Sequence, residues 1–364
     1  MKPLKLIILL YVFLVAIGLM GTAFKTMGKA QSQGLLHGIE SPFAALAVGI
    51  LATVIVQSSS TTTSMVVAAV GAQQLPLEIA VFTIMGCNIG TTVTNTLVSL
   101  AHIRQAREFE RAFAGATMHD FFNVIAVAIF LPLEWTTGWL HEAAAWLSAH
   151  LRDPNAGEGH FANPIKVAVD WVTKPVKELL THDLELSKTL AGVIMLLISL
   201  GLVSFALVAI TRTMRSLIAN RIEQALNRVL ERSGLLAIVI GAALTVAVQS
   251  SSITTSLMIP LFAAGILKLE NGFPVTLGAN IGTTVTAILA SLASSADGLT
   301  IALVHLLFNL GATALVFPVP AIRHVPVRLA VGLARLTLRS RLWAVGYVFG
   351  VFVAIPLGGW LLFR

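Results

Sequence analysis

The eight residues Gln57-Ser-Ser-Ser-Thr-Thr-Thr-Ser64 return almost letter for letter as Gln249-Ser-Ser-Ser-Ile-Thr-Thr-Ser256. A second segment, Gly86-Cys-Asn-Ile-Gly-Thr-Thr-Val-Thr-Asn95, returns as Gly278-Ala-Asn-Ile-Gly-Thr-Thr-Val-Thr-Ala287. Both pairs are offset by 192 residues, so the motifs are equally spaced in the two halves. A third echo follows, with His119-Asp-Phe-Phe-Asn123 running on to Pro132 and His305-Leu-Leu-Phe-Asn309 running on to Pro318. A constant offset marks an internal structural repeat. Each copy must also hold a dense row of hydroxyls inside a long apolar stretch. Such groups are costly in hydrocarbon unless they find partners, and in a membrane chain they mark a functional site.

Composition decides the solvent. The chain is 56% hydrophobic and 11% charged, against about 25% charged for a soluble domain, so it belongs in a bilayer. The net charge of +7 does not point to nucleic acid, because the basic residues sit in short segments between apolar runs, without interleaved aromatics. That placement fits a topology signal. A single cysteine, Cys87, excludes an intrachain disulfide and a cysteine metal cluster. Residues 2–23 have the look of a signal peptide, but the matching apolar run at 190–210 favours an uncleaved first span.

A span needs about 20 apolar residues. Candidates are 4–24, 75–101, 109–131, 190–210, 273–294, 299–318 and 342–362. The two Gln-Ser-Ser-Ser rows lie between shorter limbs, 43–56 with 65–70 and 235–248 with 257–266. Limbs this short predict re-entrant hairpins with the polar row at the tip. The alternative is one long span whose hydroxyls bond back to their own helix. The fold class is therefore an all-α polytopic membrane protein of two structural repeats, 1–133 and 188–320, with a linker at 134–187 and a basic segment plus final span at 321–364. Three spans and a hairpin leave the ends of the first repeat on opposite sides, so the second repeat is expected to run inverted. Lys2 and Lys5, Arg104, Arg107 and Arg111, Arg212 to Arg232, and Arg323 to Arg341 then share one side, the cytoplasm by the positive-inside rule. The N-terminus is expected inside, with the linker and C-terminus outside. Segments 214–231 and 327–338 read as basic amphipathic helices on the inner surface, and Trp135, Trp139 and Trp146 as an interfacial belt.

Gly86–Thr94 and Gly278–Thr286 are expected to break their helices. Broken helices at membrane depth line a cavity or are buried in protein. Half-helix N-termini point positive partial charge at anions, while freed carbonyls and hydroxyls coordinate Na⁺. All ligands in the rows are neutral oxygens and N–H groups, suited to a hard cation and an oxyanion. Asp120 lies midway along 109–131 and its counterpart is Leu306. An acid inside a span is read as a cation or proton ligand; the alternative is a carboxyl bonded to His119 or to a neighbouring helix. His119 and His305 beside serines lack the nucleophile turn of a hydrolase and read as packing residues, as Asn95, Gln105 and Asn123 read as interhelical links. The chain is not expected to be an enzyme.

Taken in order, Gln57-Ser-Ser-Ser, Gly86-Cys-Asn-Ile-Gly-Thr-Thr, Arg111-Ala-Phe-Ala-Gly-Ala-Thr-Met-His-Asp-Phe-Phe-Asn123 and their second-half copies resemble the type II sodium–phosphate cotransporters. The resemblance covers most of 40–135 and 233–345. It implies sodium-driven uptake of inorganic phosphate by alternating access, with the hairpins at the substrate site and no cofactor beyond the co-transported Na⁺. It implies a multi-pass plasma-membrane (bacterial inner-membrane) protein, with phosphate, Na⁺ and lipid as partners and an oligomeric state left open. Ser58, Ser59, Ser60, Ser250, Ser251, Ser252, Asn88 and Asn280 become the candidates for phosphate. Gln57, Gln249, Asp120, Thr91, Thr92, Thr254, Thr283 and Thr284 become those for sodium, and Asp120 implies net charge movement. A carrier of sulfate or arsenate, a sodium-independent anion channel and a phosphate receptor are the rival readings.

Overall fold

The computed structural model describes residues 2–28, 39–151, 164–229 and 234–364, with residues 2, 3 and 215–229 described by backbone alone. The first half runs through α1 (Lys2–Met27), α2 (Pro42–Val56), α3 (Ser59–Gly71), α4 (Leu77–Gly90), α5 (Val93–Ser99) and α6 (Ala106–Thr137). Two connecting helices follow, α7 (Trp139–Leu151) and α8 (Pro164–Glu178). The second half comprises α9 (Lys188–Val229), α10 (Gly234–Val248), α11 (Ser251–Ser256), α12 (Ile259–Ala264), α13 (Leu269–Ser291) and α14 (Ala296–Val316). The chain closes with α15 (Pro320–Arg339), α16 (Leu342–Phe349), a π turn over Gly350–Ala354, and α17 (Ile355–Phe363). Among the described residues, seven segments are long and apolar enough to cross a membrane, and they coincide with the seven expected spans.

The two hairpins form where the short limbs placed them. Gln57 ends α2 in the left-handed region (φ 55°), and Ser58 swings to φ −154° to cap α3. Gln249 (φ 58°) and Ser250 (φ −157°) repeat the turn. At 1.5 Å per residue, the 15-residue limb α2 reaches about 22 Å, short of a roughly 30 Å hydrocarbon core. The tip itself is narrower than expected. Only Gln57 and Ser58 leave the helix; Ser59 to Ser64 lie in the first turns of α3. Several of their hydroxyls bond back along it, as with Thr62 to the Ser58 carbonyl (3.0 Å) and Ser64 to that of Ser60 (2.7 Å). The turn and the back-bonding thus coexist. The return limb of the second hairpin is split into α11 and α12, with Pro260 in the first turn of α12, where its missing N–H costs nothing. Ala68 holds the equivalent place in α3, which continues.

The expected helix breaks are corrected. α13 runs without interruption through Gly278–Thr286, and the first half pauses only at Thr91 and Thr92, whose backbones stay right-handed helical. The glycines serve packing. A Cβ at Gly86 would overlap the Leu46 carbonyl on α2, and one at Gly278 the Ile238 carbonyl on α10. Gly90 meets Thr53 as Gly282 meets Thr245, and Gly49 meets the Thr83 carbonyl as Gly241 meets that of Val275. Each of these contacts recurs 192 residues later. Small residues spaced by four let two helix backbones touch, which is how helices associate in lipid.

The halves interlock. α1 lies along α9, and α3 crosses to α13 and α14. α6 meets the second half through edge-to-face rings, Phe122 against Phe273 (6.0 Å) and Phe130 against Phe308 (5.5 Å). The described linker is built into this body, with α8 on α1 and α7 on α14. Trp135 and Trp146 are exposed, as a belt requires, whereas Trp139 is half-buried against the Phe130 ring (5.7 Å). α15 is amphipathic, yet its apolar side (Val327, Ala330, Ala334) packs on α6, and Arg335 faces Glu110 at 3.8 Å. The other expected amphipathic segment is the helical end of α9, whose side chains beyond Met214 lie outside the described residues.

Candidate functional site

The two hairpin tips converge on one cavity of about 350 Å³. Gln57, Ser58, Ser59 and Ser60 line one wall, Gln249, Ser250, Ser251 and Ser252 the other, with Thr94, Thr211 and Arg212 between them. Each glutamine explains its own motif. A left-handed residue at a helix C-terminus is usually glycine or asparagine, and a larger side chain there needs compensating contacts. Gln57 supplies them: its amide donates to the Val54 carbonyl (2.6 Å), and its oxygen accepts from the Thr94 hydroxyl (3.3 Å). Gln249 donates to the Val246 carbonyl (2.6 Å) and accepts from Thr286 (3.0 Å). The tip of each hairpin is therefore tied to the glycine-packed span of its own half.

The serines divide their work. Ser58 and Ser250 accept from the backbone N–H of Thr61 (3.2 Å) and Ile253 (3.3 Å), so they are occupied as N-caps. The hydroxyls of Ser59, Ser60 and Ser251 find no hydrogen-bond partner among the described residues. The first backbone N–H groups of a helix likewise have no intrahelical partner. Two helix starts thus present uncommitted N–H and O–H donors to the same space, a setting that favours an anion. Ser252 donates to the Thr91 carbonyl (3.4 Å), which brings the second hairpin against the first-half pause.

Other expected site residues sit elsewhere. Asn88 and Asn280 do not line the cavity. Asn280 bonds His119 Nε2 (2.6 Å) and donates to Asn123 (2.7 Å), while Asn123 donates to the Asn88 carbonyl (2.6 Å). His119, Asn123 and Asn280 thus form a buried link between the halves, since a buried amide needs partners, while the Asn88 side chain donates to the Ile84 carbonyl of its own helix (3.0 Å). Thr91, Thr92, Thr283 and Thr284 bond back to carbonyls of their own helices. Thr254 accepts from Thr245 (2.9 Å) inside the second hairpin. Asp120 is fully buried and lies apart from the cavity. Its Oδ2 accepts from Tyr347 (3.0 Å) and Thr96 (3.3 Å), and Oδ1 has no partner among the described residues. Neighbouring Asn95 donates to Thr255 (2.7 Å) and accepts from Ser256 (2.9 Å). Consecutive residues of α5, Asn95 and Thr96, therefore hold the second hairpin and Asp120 respectively.

Two residues escaped sequence reasoning. Tyr347 belongs to the last span, outside both repeats, and no motif flags it. Arg212 reads as a topology arginine, and only the fold sets it on the cavity wall.

An all-helical polytopic membrane protein, with a polar cavity between two symmetry-related helical hairpins, is the class that this fold and site define. The sequence model described as Na+/Pi-cotransporter matches residues 12–133 and 202–339, and the chain belongs to that family. It is 33% identical to sodium-dependent phosphate transport protein 2B of Bos taurus over 98% of this chain and 64% of that one. It is 33% identical to sodium-dependent phosphate transport protein 2A of Ovis aries (95% and 65% covered), and 31% identical to the 2B protein of Homo sapiens (96% and 63%). The chain thus spans just under two thirds of the length of these relatives. No solved structure matches it significantly.

Proposed function

We propose that this protein is a secondary transporter that couples Na⁺ entry to the import of inorganic phosphate. The observation that carries the reading is the convergence of two helix starts, with free serine hydroxyls, on a single cavity. Ser59, Ser60 and Ser251, with the adjacent N–H groups, hold the phosphate oxygens. Asp120, Thr96 and Tyr347 form an acidic group next to Asn95, which holds the second hairpin, and sodium binds there. Asn88 and Asn280 shape the site from behind, rather than touching substrate. The names of the relatives, sodium-dependent phosphate transport proteins, support the same substrate and ion.

The repeats run inverted across a plasma membrane, with the N-terminus in the cytoplasm. Their relative movement exposes the cavity to each side in turn, and sodium and phosphate cross together, carrying net charge. Purified protein in proteoliposomes tests this. Labelled phosphate should accumulate above its equilibrium level when a sodium gradient is imposed. Equal uptake in sodium and in choline overturns the coupling, and preferential uptake of sulfate overturns the substrate.

A further inference from the structure

Among the described residues that line the cavity, Arg212 alone carries a charge. It follows Thr211 on α9, whose buried hydroxyl donates to the Val248 carbonyl (3.0 Å) immediately before the second hairpin tip. That bond fixes this stretch of α9 against the hairpin and sets the next side chain beside the serines. Arg212 is exposed to the cavity, and none of the ion pairs among the described residues involves it. Its neighbours on the lining are hydroxyls, amides and apolar groups. An arginine just past a span is ordinarily a topology signal alone. This one differs in lining the same cavity as the free serine hydroxyls of both hairpins. The other half does not match it: no described residue of α1, the first span there, lines the cavity.

We infer that Arg212 is a substrate-binding residue, whose guanidinium pairs with the tetrahedral oxyanion held by the hairpin serines. This rests on the transport reading and deepens it. Serine hydroxyls and N–H groups supply geometry and partial charge, but no full positive charge. A guanidinium adds one, with forked donors that match two oxygens of a phosphate at once. Because only one repeat carries it, the cavity is electrostatically one-sided. The anion is strongly held while the cavity opens along α9, and loses this partner when the hairpins turn toward the opposite side.

Equilibrium binding of radiolabelled inorganic phosphate to the full-length protein in detergent tests the inference, at fixed sodium with ionic strength varied by choline chloride. Arg212→Gln should weaken phosphate binding about tenfold, the scale of one charge-assisted contact. It should also flatten the dependence on ionic strength, leaving sodium half-saturation at saturating phosphate unchanged. Arg212→Lys should recover part of the affinity, since it keeps the charge and loses the fork. Native affinity in Arg212→Gln overturns the inference. So does a lysine variant no better than the glutamine one, or an equal loss of sodium and phosphate binding, each of which means packing rather than charge. If the unmodified protein binds no phosphate in sodium, the transport reading itself falls; if it does and Arg212→Gln matches it, only the arginine's role falls.

Discussion

Ser58 and Ser59 are adjacent and chemically identical, yet the backbone gives them different tasks. Ser58 spends its oxygen on the Thr61 N–H, whereas the Ser59 hydroxyl is uncommitted on the cavity wall. Ser58→Ala is expected to lower stability by about 1 kcal/mol through the lost cap, read as a drop in melting temperature in detergent. Ser59→Ala should leave melting unchanged and raise the KM for phosphate several-fold, about the worth of one hydrogen bond. Asp120 is legible from sequence as an intramembrane acid, but its partner is not, because Tyr347 lies 227 residues away on the last span. Asp120→Asn keeps the shape and removes the charge. It is expected to cut the charge moved per phosphate, measured as current against labelled uptake, and Tyr347→Phe should raise the sodium concentration needed for half-maximal uptake. An unchanged ratio of current to phosphate in Asp120→Asn removes Asp120 from the coupling.

At the scale of the element, glycine separates what pattern reveals from what packing decides. Gly-x-Asn-x-Gly reads equally well as a helix break or as a helix contact, since both need a missing side chain. The contact wins here because Gly86 and Gly90 share one helix face with Thr83 and Cys87, and that face meets α2 at backbone distance. Spacing by four residues was the available clue, and it recurs in Gly278 and Gly282. Gly86→Ala and Gly278→Ala are expected to destabilise by about 2 kcal/mol or more, because a carbonyl oxygen stands where the methyl would go and backbone cannot move aside cheaply. Gly332→Ala on α15 meets nothing within 4 Å and should stabilise by roughly 0.5–1 kcal/mol through helix propensity. Melting temperatures of the three variants check the sign of each. The hairpins, by contrast, were legible from limb length and the Gln-Ser-Ser-Ser row, since each apolar limb is too short to span by itself.

For the molecule as a whole, movement between α9 and the second hairpin is what the transport reading demands. Thr211 and Val248 already meet across that boundary, so Thr211→Cys with Val248→Cys provides a lock. The native Cys87 is replaced by Ala for this experiment, copying Ala279 at the equivalent place in the second half. Cross-linking with a mercuric ion should abolish sodium-driven uptake, and a thiol reductant should restore it; full uptake in the linked protein contradicts alternating access at this boundary. The contacts that join the halves are the part sequence could not supply. Asn95 to Thr255 and His119 to Asn280 span 160 and 161 residues, and no local pattern encodes which buried amide finds which partner. By itself the sequence determined the bilayer as solvent, the seven spans, the duplicated unit and the hairpin turns, because composition, run length and repetition are local quantities. Only the tertiary structure decided that Ser59, Ser60 and Ser251 stay free while Asn280 is consumed as a link and Asn88 bonds back to its own helix, and that Arg212 joins the cavity. Those outcomes depend on which groups meet once the halves interlock, and a buried polar group takes whichever partner the facing helix brings within reach.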